Sequence, residues 1–109
     1  MKKTITIAFA LFAVSATALL AADSKSLYED QCAKCHGSDG KGQTKMGQKI
    51  GAKDYTDPKV QDALKDAAAF KAIKEGLKGA EDKVLMKPTE GVSDDDIKGL
   101  VTYMRAFKK

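Results

Sequence analysis

Cys32, Cys35 and His36 lie within five consecutive residues, Cys-Ala-Lys-Cys-His, and they are the two cysteines and the single histidine of the chain. Thiolate and imidazole are the side chains best suited to metal binding and redox chemistry, so four chemistries compete for this stretch. A structural disulfide between such near neighbours closes too small a loop to remove much chain entropy, and it leaves the histidine unexplained. Thiol–disulfide exchange accounts for the pair, but that chemistry is usually carried on a strand-to-helix unit. Structural zinc needs four ligands, so a carboxylate would have to complete the three present. Covalent haem attachment accounts for all three residues, because C-x-x-C-H is its signature. Helical geometry agrees. Residues three apart share a face about 5 to 6 Å apart, so both sulfurs can meet vinyl groups along one side of a porphyrin. His36, next in the chain, can turn beneath the plane and offer a nitrogen to iron.

The elements that must position these residues read as helices, with no clear strand-like alternation. A first helix is expected from Ser24 or Ser26 through LYEDQCAKC, either serine serving as its cap. The stretch from Gly37 to Gly51 is punctuated by glycine every few residues and reads as a long loop. Asp57-Pro58 marks another start, with proline in the first turn of KVQDALKD. Asp66 is a possible cap for a further helix carrying Phe70, Ile73 and Leu77, which Gly76 and Gly79 end. Pro88, Glu90 and Gly91 read as irregular chain. Ser93-Asp94-Asp95-Asp96 approximates a capping box, and Ile97, Leu100, Val101, Met104 and Phe107 place one apolar face along the last helix. The fold class is therefore all-α.

The chain divides into two parts. Lys2 and Lys3 precede an apolar run from Ile5 to Leu20, and alanines at 21 and 22 come before the first acid at Asp23. This pattern fits a secretory signal peptide over 1–22, cleaved after Ala22, with one domain over 23–109. The apolar run is shorter than the roughly 20 residues that span a bilayer comfortably. Stable membrane insertion after cleavage is not expected, and the domain should work in the periplasm. Removing Lys2 and Lys3 from the 19 basic residues leaves 17 against 15 acids, so the net charge falls from +4 to +2. That is too mild for nucleic acid, which calls for a strong basic stripe. A domain this small commonly needs a staple, and a haem would supply apolar mass to its core.

LYEDQCAKCHGSDGKG near the start, KPTEGVSDDDIKGLVTYMRAF at the end and a methionine just before that tail resemble the small bacterial class I cytochromes c. The resemblance covers essentially the whole domain, loosely between about Gln43 and Lys65. It implies the small cytochrome c fold, three to five helices wrapped around one covalently bound haem c. In that family the histidine of C-x-x-C-H is one axial iron ligand and a later-loop methionine is the other. On that pattern Cys32 and Cys35 carry the thioethers, His36 is the proximal ligand and Met86 the distal one. Met86 follows His36 by 50 residues, with two helices between, and Pro88 stiffens the chain behind it. Met46 follows by only 10 and would reach over the ring edge awkwardly, while Met104 sits on the apolar face of the last helix. Two departures from the family pattern stand out. Ser24 replaces a glycine often found where the last helix crosses the first, and is expected to face Tyr103. No proline follows the motif to offer a carbonyl to the histidine, so a carbonyl between Thr44 and Gly51 is expected to take its second N–H.

With both axial positions filled, the iron has no open site for substrate, and the resemblance implies a monomeric electron carrier rather than an enzyme. Respiratory or photosynthetic redox proteins would dock transiently at the exposed haem edge. Lysines 34, 41, 45, 49 and 53 could ring that edge and steer acidic partners. Two alternatives remain open at this level: an exported thiol–disulfide oxidoreductase using the cysteine pair, and a haem ligand-binding or peroxidase protein lacking the methionine ligand.

Overall fold

The computed structural model describes the backbone from residue 17 and the side chains from residue 23. The expected signal peptide lies outside the described residues except for its last six, which continue the first helix. Among the described residues six helices form: α1 (Thr17–Gln31), α2 (Ala33–His36), α3 (Lys45–Ile50), α4 (Pro58–Ala63), α5 (Asp66–Glu75) and α6 (Asp94–Arg105). Two short strands, β1 (Leu77–Lys78) and β2 (Val84–Met86), pair antiparallel between α5 and α6.

The last helix is specified as its sequence suggests. Ser93 accepts from the Asp96 amide at 3.1 Å while the Asp96 carboxylate accepts from the Ser93 amide at 3.0 Å, a closed capping box. Three aspartates occupy the first turn, where they oppose the positive helix end, and Arg105 lies in the last. At α4 Asp57 accepts from the Lys59 amide at 2.9 Å and Pro58 stands in the first turn. Asp66 is the first residue of α5 rather than its cap, which is Lys65.

Two elements depart from the sequence reading. The glycine-rich stretch contains α3, because Thr44 accepts from the Gly47 amide at 2.9 Å and Gly51 closes the helix in the left-handed region at φ 75°. Met86, expected in a loop, lies at the end of a strand. The hairpin forms because Glu81 and Asp82 take φ of 59° and 58°, with the Lys83 amide donating to the Ala80 carbonyl at 3.2 Å. Those are the features of a type I′ turn, whose twist matches paired strands, although neither residue is the asparagine or glycine that signals it in a sequence.

Tyr28, Cys32, Ala69, Ile73, Ile97, Leu100, Val101 and Met104 form the buried apolar core. Helices α1 and α6 cross at its centre. Ser24 is buried there against Gly99, where any Cβ would collide with the Ser24 hydroxyl. The small residue that permits the crossing is thus on the last helix as well as the first.

Candidate haem centre

The motif straddles the junction of α1 and α2. The Cys32 amide donates to the Tyr28 carbonyl at 2.9 Å and the His36 amide to the Cys32 carbonyl at 3.0 Å, so helical bonding carries through the break. No disulfide joins the two cysteines. Cys32 is 9% exposed and belongs to the core, whereas Cys35 is half-buried. Burial, and then the neighbouring Cys35, push the Cys32 thiol up to about 11. Thiol exchange needs the opposite, a thiol acidified by its surroundings.

Burial also pushes the His36 imidazole below its ordinary value, which keeps it neutral at pH 7 with a lone pair available for metal. Its Nδ1 is buried with no hydrogen-bond partner, the single side-chain nitrogen or oxygen in that state among the described residues. The expected carbonyl between Thr44 and Gly51 does not take up this nitrogen. What that segment holds instead is the backbone of the motif: the Thr44 hydroxyl donates to the Cys35 carbonyl at 2.7 Å. Gly47 packs against the carbonyls of Cys35 and Gly42, where a Cβ has no room. The Gly42 amide donates to the His36 carbonyl at 2.8 Å. From the other side the buried Tyr28 hydroxyl donates to the Gly37 carbonyl at 2.7 Å. Desolvation raises the tyrosine's pKa, so it stays a donor. The Tyr28 ring in turn packs tilted against Tyr103 at 5.0 Å and Phe107 at 5.2 Å.

The methionines separate by environment. Met86 is half-buried and packs against the core cluster that contains Cys32. Met46 is 41% exposed, and Met104 is 8% exposed in the core, as its place on the apolar face suggests. Gly76 is required behind Met86: it takes φ 79°, and a Cβ there would meet the Met86 carbonyl and Pro88. Leu27, Ala33, Tyr55, Leu64 and Phe70 are likewise half-buried against the same core.

Three residues that sequence reasoning missed complete the surroundings. The Tyr55 ring lies 5.4 Å from the His36 ring, tilted by 37°. The buried Gln61 side chain donates to the Tyr55 carbonyl at 2.7 Å and accepts from Arg105 at 2.8 Å. No local pattern marks them, because Arg105 and Gln61 stand 44 residues apart in the chain.

The family model for cytochrome c matches residues 21–108. The chain belongs to the cytochrome c family. This cytochrome c is 30% identical over 88 residues to cytochrome c-554(547) of Halothiobacillus neapolitanus, an alignment covering 81% of this chain and 97% of the relative. Among solved structures it is similar to the KustC0563 c-type cytochrome, with a TM-score of 0.70 and 32% identity over 80% of this chain and 99% of the other. A tyrosine-to-phenylalanine variant of that protein matches with a TM-score of 0.67 and 30% identity, over 79% and 99% of the two chains.

A cytochrome c carries covalently bound haem c, and this chain is an electron carrier, not an enzyme. The residues present fit the group. Two thiols and a neutral imidazole stand together in one short segment, a donor set suited to haem c, and a thioether lies against the same apolar cluster. When bound, the haem supplies a one-electron change between ferric and ferrous iron. The chain's own part is to fix the motif backbone through Thr44, Gly42 and Tyr28 and to surround the group with apolar side chains. Such surroundings disfavour the additional charge of the oxidised state.

Proposed function

We propose that this electron carrier works in the periplasm, moving single electrons between respiratory or photosynthetic redox proteins through an iron ligated by His36 and Met86. Residues 1–22 direct export and are cleaved after Ala22. Cys32 and Cys35 hold the haem by thioether bonds. The observation that carries the ligand assignment is the packing of Met86 on the apolar cluster that contains Cys32, four residues from a neutral His36, while Met46 faces solvent. Neutral thioether sulfur is a soft donor that favours ferrous iron, and Met/His ligation raises the potential accordingly. Among the described residues Lys34, Lys41, Lys45, Lys49 and Lys53 enter no ion pair of their own. Free positive charge of this kind steers acidic partners into brief, salt-sensitive encounters.

Met86→Ala tests the assignment. The weak sulfur-to-iron charge-transfer band of the ferric protein should vanish, the potential should fall, and the ferrous form should bind carbon monoxide. Met46→Ala should change none of the three. Loss of the band in Met46→Ala with its survival in Met86→Ala would transfer the ligand to Met46. Clean extraction of the haem by acidified solvent would reject the thioether bonds.

A further inference from the structure

We propose that Arg105, Gln61 and Tyr55 form a positioning relay through which the C-terminal helix sets the orientation of the His36 imidazole. It rests on the reading that His36 ligates the iron. A ligating histidine is normally oriented by a hydrogen bond on its other nitrogen. Here Nδ1 has no such partner, so orientation has to come from packing, and the Tyr55 ring at 5.4 Å is the aromatic surface placed against it. Tyr55 is held on both sides of its own backbone. Its amide donates to the Gly40 carbonyl at 2.8 Å, and its carbonyl accepts from Gln61 Nε2 at 2.7 Å.

Gln61 has no freedom to release it. This polar side chain is 3% exposed, and Nε2 also donates to the Met104 carbonyl at 3.0 Å. Its Oε1 accepts from Arg105 Nη1 at 2.8 Å. The same guanidinium donates to the Gln61 carbonyl at 2.7 Å, to the Leu64 carbonyl and to Asp66 Oδ1 from both Nε and Nη2. A planar fork with several fixed donors fits this arrangement and a flexible ammonium does not. The network is more than a tie between helices, because its inner end stops at the residue whose ring faces His36.

Proton NMR of the ferric holoprotein reads the outcome, since the spread of the haem methyl shifts depends on the plane of the axial imidazole. Tyr55→Ala should change that spread, and Arg105→Lys should change it in the same sense by less. Tyr55→Phe, which keeps the ring, should retain the parent pattern. Asp62→Ala is the control: it breaks the 3.2 Å ion pair with Lys108, which joins the same two segments without touching Gln61. Its pattern should match the parent. A lowered melting temperature in Arg105→Lys with an unmoved methyl pattern would overturn the relay, as would an equal shift in Asp62→Ala. His36 ring protons without hyperfine shifts in the parent would reject the ligand assignment and the relay together. Shifted ring protons with a pattern indifferent to Arg105→Lys would reject the relay alone.

Discussion

Met46, Met86 and Met104 carry one kind of side chain in three surroundings: solvent, the rim of the apolar cluster and the interior of the core. Removing a buried methionine costs transfer free energy and leaves a cavity, so Met104→Ala should lower stability by about 2–5 kcal/mol. Denaturant unfolding measures that loss, and on the Met86 assignment proposed above the charge-transfer band of the ferric protein should persist. Cys32, Cys35 and His36 were legible from sequence because the chemistry that links them is local and needs a fixed spacing. Met104 was legible because helical periodicity marks its face. Tyr55, Gln61 and Arg105 were not, since nothing near Arg105 in the chain announces a partner 39 to 44 residues away. The orphaned Nδ1 of His36 was hidden for the same reason: the expectation of a carbonyl came from the family pattern, while the loop spends its polar groups on the motif's backbone.

Elements were read best where capping chemistry and periodicity agree. The start of α6 is the clearest case, and Ser93→Ala should cost about 1 kcal/mol, the usual worth of an N-cap, with the potential unchanged. Thermal unfolding alongside voltammetry separates the two quantities. A larger loss would mean that the α6 terminus also braces the 76–92 segment, where the Thr89 amide donates to the Ile73 carbonyl at 2.9 Å. Helix α3 escaped because its six residues are flanked by glycines that read as loop, and its one local signal, Thr44, sits among them. The hairpin escaped because Glu81 and Asp82 are poor sequence markers of the left-handed turn they adopt. Pairing of the two strands, with Leu77 opposite Met86, outweighs a local preference of order 1 kcal/mol.

At the scale of the whole molecule the balance is set by how little apolar mass the chain itself brings. Among the described residues the core holds eight buried apolar residues, and nine more apolar side chains pack on it only half-covered. Domains of this size are marginal without a staple. Cys32→Ala combined with Cys35→Ala should therefore give a largely unfolded apoprotein, visible as collapsed far-ultraviolet circular dichroism; native-like helicity would show that the polypeptide stands alone. The burial of Cys32 then dictates an order of events. In the folded chain Cys32 is a 9% exposed member of the core, and burial pushes its thiol up to about 11. On the thioether assignment proposed above, that sulfur must meet the porphyrin while the chain is still open, before α6 closes against α1. Attachment thus precedes collapse: the bare polypeptide, short of apolar mass, stays open until the haem is bound, and the finished fold then closes the bond away from solvent.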